Sequence, residues 1–334
     1  MDAYEPIYKS FPLSDSEKKA VKDSEKGNAR LAKLPQPAFE FTIKKFLGKM
    51  RELSLLVKLP EVHIANEIVK EEYTDDAGGG SFSVYFYRRA DLPEGGHPLL
   101  YFIHGGGFVG GTYLANEGLM RKFADENDIV CASVEYHVSP EVKYPIALRE
   151  CEKGLFHLLE SPETNRFIDR SLIYAAGDSA GGNLAAAMAL SMKHLHDIHL
   201  AGQILFYPVT DMKDLDNKES YKRREPEFYV MRKMILCTRK LYARAEEDYS
   251  DIYFSPLLTT ETDDPHPTRA LLLLAGRDGL LDDGVMYGKH LHDLGGEARA
   301  VVYEGAYHAF VNGLGDSETA EDSYREIVRF IAEA

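Results

Sequence analysis

The chain has 334 residues, 44% of them apolar and 28% charged, so it is long enough for one large α/β domain and too apolar to be disordered. Lys and Arg number 39 against 54 Asp and Glu, a net charge of −15, which sets the chain against phosphate backbones and anionic lipid surfaces. Three cysteines, Cys131, Cys151 and Cys237, are too few for a disulfide framework. The start, Met1 to Pro6, has neither a basic stretch nor an apolar one, and no run approaches the roughly 18 apolar residues of a membrane span. The expectation is a cytoplasmic protein with no nucleic-acid or membrane partner.

In chain order, residues 10–30 are polar and read as a solvated helix or arm. From Phe39 the apolar positions Phe39, Ile43, Phe46, Leu47, Met50, Leu53, Leu56 and Val57 recur at helical spacing, giving one apolar stripe. Such a stripe suits a helix packed on the core or one covering a pocket. Glu67–Tyr73 and Ser81–Tyr87 flank the turn-rich Asp75–Gly80 and predict a hairpin. Short runs apolar on both faces follow at Pro98–Ile103, Ile129–Val134, Leu172–Ala175, Gly202–Phe206, Ala270–Ala275 and Ala300–Tyr303. Helical patterns separate most of them, at Leu114–Glu126, Tyr144–Glu160, Ala180–His194, Gly284–Leu294 and Glu318–Ala332. This alternation predicts an α/β fold with an eight-stranded, mostly parallel sheet, helices on both faces and an antiparallel entry. About sixty residues separate Tyr207 from Ala270, holding an amphipathic helix over Phe228–Glu247; an insertion this long suits a lid or binding element. Its basic residues are interleaved with acidic ones, so a solvated face explains them better than a nucleic-acid patch.

The strongest chemical signal is Gly177-Asp178-Ser179-Ala180-Gly181, placed directly after a strand and before a small-residue helix. In that context G-x-S-x-G presents a strained serine at the head of a helix, with glycines where neighbouring backbone must come close. His104-Gly105-Gly106-Gly107-Phe108 also follows a strand. Consecutive glycines weaken regular structure, but they let N–H groups converge on an external oxygen; with the N–H of Ala180 they would form an oxyanion hole. Neither the dinucleotide spacing nor a P-loop Lys-Ser/Thr is present, which argues against a phosphate site.

A serine nucleophile needs a base and an acid that orients it. His308, in Gly305–Phe310, follows the last strand. His194, His196 and His199 have a suggestive spacing but sit at a helix end without a cysteine, and read as exposed residues rather than zinc ligands. Asp278 lies three residues past the strand Ala270–Ala275, whereas Asp282 and Asp283 stand just before the helical pattern and read as N-cap residues. Ser179, Asp278 and His308 each follow a strand, so all three can meet at one rim of the sheet.

Together with Tyr207–Asp211 and Ser255–Leu258, these segments resemble the hormone-sensitive-lipase-like family of α/β-hydrolases, bacterial esterase family IV, over residues 65–332. The resemblance implies the α/β-hydrolase fold with a helical cap, built from an N-terminal segment (residues 1–60) and an insertion (about 212–254) on a catalytic domain spanning 61–334. It implies Ser179 as nucleophile, His308 as base and Asp278 as orienting acid, with Gly106, Gly107 and Ala180 as oxyanion donors. Glu135–Glu141 departs from the family's Tyr-Arg-Leu-Ala-Pro-Glu pattern, with His137 and Ser139 at the Arg and Ala positions. The implied reaction is hydrolysis of a small carboxylic ester through an acyl-enzyme, with no metal or organic cofactor. Acetylated carbohydrates, amides and a non-catalytic binding role on the same fold are the alternatives. The cap would place Phe39, Phe46, Phe228 and Tyr229 near a pocket that Phe108 borders, favouring acyl chains of two to about six carbons. The last helix and the strand at the sheet edge are compatible with a homodimer.

Overall fold

Strands that read apolar at every position are buried on both faces, and alternate residues feed two separate cores. In β4 (His97–Ile103), Leu99, Tyr101 and Ile103 join one core, while Leu100 and Phe102 join the other. The strand Ala270–Arg277 divides the same way, with Leu272 and Leu274 on one side and Leu271 and Leu273 on the other. The period of two along a strand makes that division automatic.

The computed structural model describes residues 3–43, 45, 66–75, 80–313 and 315–334. The chain opens with β1 (Ile7–Lys9), α1 (Asp15–Ala32) and a helical stretch, α2, over residues 36–43. Phe46 and the rest of the apolar stripe to Val57 lie outside the described residues. The hairpin is β2 (Asn66–Asp75) and β3 (Gly80–Arg89), followed by β4, α3 (Glu117–Glu126) and β5 (Val130–Glu135). Then come α4 (Ile146–Glu160), the single turn α5 (Pro162–Asn165), β6 (Ile168–Asp178), α6 (Ala180–His196) and β7 (Gly202–Phe206). The insertion carries α7 (Pro226–Tyr242); β8 (Ala270–Arg277), α8 (Leu281–Asp293), β9 (Ala298–Tyr307) and α9 (Glu318–Ala332) complete the fold.

The sheet order is β1-β9-β8-β7-β6-β4-β5-β3-β2. Pairing is antiparallel only for β2 with β3 and β3 with β5, so the sheet is mostly parallel, as the strand–helix alternation predicts. The eight expected strands are joined by β1, which pairs parallel to β9 through Ile7, Tyr8 and Lys9 and so makes β9 an inner strand at that register. Lys9 fixes this arm by reaching Asp322 at 2.6 Å and Glu326 at 2.8 Å, both on α9.

Helices α4, α6 and α8 cover one face of the sheet; α3 and α9 cover the other. The alanine run of α6 is a packing requirement, since Ala185, Ala186, Ala187 and Ala189 are all buried in a helix that lies between the sheet and α4. The insertion helix stops at Tyr242, five residues before the expected Glu247, because Ala243 turns extended (ψ 151°) and the Asp248 carboxylate takes the Arg244 N–H at 2.7 Å. Helix α7 packs against α1 and α2. Phe39, Ile43, Val230 and Cys237 form a small apolar cluster there, and the buried Lys233 ammonium donates to the Ala32 and Leu34 carbonyls at the end of α1.

Candidate active site

Ser179 stands between β6 and α6 with φ 56° and ψ −116°, a conformation that an L-residue adopts at a cost of about 1–3 kcal/mol. The surrounding backbone enforces it: the Ser179 N–H donates to the Phe206 carbonyl at 2.9 Å, and the Ser179 carbonyl accepts from Asn183 at 3.1 Å. The glycines of the motif are demanded by close approach. A Cβ on Gly177 would stand 2.3 Å from the Gly181 carbonyl oxygen, and one on Gly181 would stand 2.0 Å from that of Ile103. Asn183, fully buried, donates from its side chain to the Val209 and Phe254 carbonyls and so draws both ends of the insertion onto the elbow.

The three residues that the sequence places at one rim do meet. His308 Nε2 lies 3.0 Å from Ser179 Oγ, and His308 Nδ1 lies 2.5 Å from Asp278 Oδ2. An ionised carboxylate can only accept, so Nδ1 carries the proton and Nε2 is left to accept from the serine hydroxyl. The other Asp278 oxygen accepts the Leu280 N–H at 3.0 Å. Burial opposes charging His308, but the charge and hydrogen bond of Asp278, with a further contribution from Asp178, outweigh it and leave its pKa above 6.5. The ring is braced by Tyr207, whose ring centre lies 4.7 Å away.

Asp282 and Asp283 are not N-caps. Leu280 occupies that position, and both aspartates lie in the first turn of α8. Asp283 is fully buried; its Oδ1 accepts the Thr210 N–H at 2.9 Å and the Asp211 N–H at 3.1 Å, while Asp282 accepts from Ser220 N–H at 2.7 Å. Their job is to dock the start of the insertion. Burial raises the Asp283 pKa to about 6, against the pull of Lys218 and the two N–H donors.

The glycine loop takes backbone conformations that glycine alone adopts freely. Gly106 and Gly107 have φ of 122° and 64°, and a Cβ on Gly106 would fall 2.1 Å from the Gly110 carbonyl oxygen. The Gly105 N–H is already taken by Asp178 at 2.8 Å, whereas those of Gly106 and Gly107 have no partner among the described residues. Asp178 also accepts from the Asn116 side chain at 3.1 Å, so the residue preceding Ser179 holds the glycine loop. The only sequence signal for this role is a carboxylate directly before the serine, between a buried strand and a buried helix. Its burial raises the Asp178 pKa, opposed first by the Gly105 N–H.

The departing segment has its own bracing. His137 Nδ1 and N–H both contact the buried Glu150 carboxylate, at 2.8 and 2.7 Å, and the Ser139 N–H donates to the Phe108 carbonyl at 2.7 Å. His194 contacts the Tyr253 hydroxyl and the Asp263 carbonyl, while His196 packs edge-on to Phe156; the two side chains diverge.

Helix α7 runs from the Asp278 loop to the glycine loop. A Cβ on Gly279 would lie 2.6 Å from Met231 Cβ, and one on Gly107 would lie 3.0 Å from Thr238 Cγ2. Under the helix is a cavity of about 320 Å³, lined by Leu31, Ile43, Val230, Met231 and Met234 and reaching Asp278 and His308. A second, of about 440 Å³, lies between α1 and the His308 loop. Of the nominated aromatic residues, those that are described, Phe39, Phe108, Phe228 and Tyr229, wall neither cavity. Phe39 is buried in the α2–α7 cluster, Phe228 lies under the Arg223 guanidinium and Tyr229 is exposed on the outer side. Phe108 stacks on Tyr242 at 4.1 Å. Helical spacing identified an apolar stripe, but which of its residues face the cavity depends on where α7 crosses.

Residues 100–312 match the α/β-hydrolase fold family. An ethyl acetate hydrolase from Pseudomonas putida is 29% identical over 253 residues, 75% of this chain and 78% of that protein. An arylesterase from Saccharolobus solfataricus is 27% identical over 213 residues, 64% of this chain and 68% of its own. A hyperthermophilic esterase from the archaeon Pyrobaculum calidifontis superimposes with a TM-score of 0.76 at 25% identity, covering 97% of this chain and 99% of that one. With the motifs, the sheet order and this match over most of its length in agreement, the chain belongs to the α/β-hydrolase fold family, in its hormone-sensitive-lipase-like branch.

Proposed function

We propose that this carboxylic ester hydrolase is a serine carboxylesterase for short acyl chains, with Ser179 as nucleophile, His308 as base and Asp278 as orienting acid. The observation that carries the reading is the unbroken relay from Ser179 Oγ to His308 at 3.0 Å and from His308 to Asp278 at 2.5 Å, on a strained elbow. His308 Nε2 takes the hydroxyl proton as Oγ bonds to the ester carbonyl carbon, and the carbonyl oxygen becomes an oxyanion facing the N–H groups of Gly106, Gly107 and Ala180. Collapse breaks the bond to the alkoxy oxygen, which leaves with the proton from His308. Water, deprotonated by the same imidazole, then attacks the acyl-enzyme, releasing the acid and restoring Ser179. The residues present complete the cycle by themselves.

Helices α1, α2 and α7 act as the cap in this reading. The cavity of about 320 Å³ beneath α7 has an apolar wall of Leu31, Ile43, Val230, Met231 and Met234, with polar side chains around the rest of it, and that wall suits an acyl chain of a few carbons. The ethyl acetate hydrolase relative supports the same preference. No helix among the described residues is long and apolar enough to cross a membrane. A panel of nitrophenyl esters from acetyl to palmitoyl, run beside acetylated sugars and anilides, tests the reading. The highest kcat/KM should fall between two and about six carbons, since longer chains must displace packed side chains. Faster turnover of the palmitoyl than of the butyryl ester would overturn the chain-length assignment.

A further inference from the structure

Four side chains that the hydrolytic cycle does not use converge beside the acid and the base. Arg277 immediately precedes Asp278, Tyr307 immediately precedes His308, and the two are register partners across β8 and β9. The Arg277 guanidinium lies 4.8 Å from the centre of the Tyr307 ring. Each is then gripped by the cap. Arg277 donates to Glu227, in the first turn of α7, at 2.6 Å; the Tyr307 hydroxyl donates to Glu25, on α1, at 3.1 Å; and Glu25 lies 3.9 Å from Arg277.

We propose that Arg277, Tyr307, Glu25 and Glu227 form a positioning network that couples closure of the cap to alignment of Asp278 and His308. The inference rests on the assignment of those two residues as acid and base. Exposed ion pairs generally hold little, but Glu227 is only 7% exposed and the guanidinium is fixed by stacking as well as by charge. The network also borders the smaller cavity, through Glu227, Arg277 and Tyr307. Glu25 and Arg277 remain 47% and 42% exposed, so water can reach one side of it and the contacts can part when the cap opens for substrate.

A lysine at position 277 would keep the charge but lose the planar group that stacks and donates together. If alignment is the role, loss of the network lowers kcat and leaves KM nearly unchanged, because the apolar wall of Leu31, Ile43, Val230, Met231 and Met234 is untouched. Arg277→Gln and Glu227→Gln should each lower kcat on nitrophenyl butyrate about tenfold, with KM within threefold, since small misplacements of catalytic groups are costly. The double variant should be no worse than the poorer single one, because the two residues act as one unit. Glu25→Gln and Tyr307→Phe should lower kcat less, and Arg277→Lys should recover only part of the loss. Hydrogen exchange of the α1 amides should speed up in Arg277→Gln at an unchanged melting temperature.

Additive losses in the double variant, or a change confined to KM, would overturn the network. So would loss of turnover only for an ester bearing a carboxylate, which would make Arg277 a substrate contact. The exchange measurement does not depend on the chemistry, and unaltered α1 exchange would overturn the tie between cap and catalytic loops. Failure of the acid–base assignment would show separately, as esterase activity surviving undiminished in His308→Ala.

Discussion

Helices α1 and α6 are nearly equal in length and opposite in construction. Helix α6 buries every residue from Ala180 to Met192, and its small side chains let it lie close on the sheet beneath the elbow. Helix α1 buries none fully; its start is fixed by a capping box between Ser14 and Glu17, Leu31 and Ala32 pack against the small α2–α7 cluster, and its other ties are polar contacts to α7, Arg277 and Tyr307. Helix length therefore says nothing about what holds a helix. The hydrolase core is held by area removed from water, which is insensitive to direction. In the proposed cap, α1 adds only a small apolar patch and a few directed contacts, which can part and re-form.

That contrast can be broken most sharply at the elbow. Ser179→Ala should lower kcat about a millionfold, because nucleophile and base act as one unit, while the melting temperature stays within a few degrees. A variant that keeps a tenth of the activity would remove Ser179 from the chemistry.

Asp278→Asn should cost roughly a hundredfold to about 10⁴-fold in kcat, since the amide cannot hold the imidazole tautomer or stabilise its cation. The pH profile gives the sign. His308 must be neutral to act as base, and Asp278 holds its pKa above 6.5, so wild-type kcat/KM should fall away on the acid side with a midpoint above 6.5. In Asp278→Asn the midpoint should move to lower pH.

A smaller effect is expected where core and cap insertion meet. Asp283→Ala leaves the Thr210 and Asp211 N–H groups buried without an acceptor and should cost about 2–4 kcal/mol in denaturant unfolding. Asp283→Asn keeps the acceptor and should cost much less. Because burial raises the Asp283 pKa from 3.8 to about 6, the folded protein holds this proton more tightly than the unfolded chain. Its contribution is fully present below 3.8 and is lost as pH rises through about 6. Asp283→Asn should flatten stability over that window.

The smallest change belongs to the outer face of α1. Lys18 and Asp15 pair at 2.9 Å with both side chains largely exposed, so Lys18→Ala should leave both melting temperature and kcat unchanged. A measurable loss there would mean that α1 is held as α6 is.

The sequence alone determined the elbow, the glycine loop, the order of Ser179, Asp278 and His308, and the doubly covered parallel sheet. Those features rest on demands that local sequence must meet: a Cβ excluded at Gly177 and Gly181, a positive φ at Gly106 and Gly107, and strands apolar on both faces. Tertiary structure alone decided that Asp283 docks the insertion rather than capping a helix, that Asp178 holds the glycine loop, and that Leu31, Ile43, Val230, Met231 and Met234 form the apolar wall of the cavity in place of Phe39, Phe228 and Tyr229. It also brought Glu25, Glu227, Arg277 and Tyr307 together from four elements. Periodicity tells which face of a helix is apolar; what that face meets, and which buried carboxylate finds which N–H, depends on crossings between segments far apart in the chain.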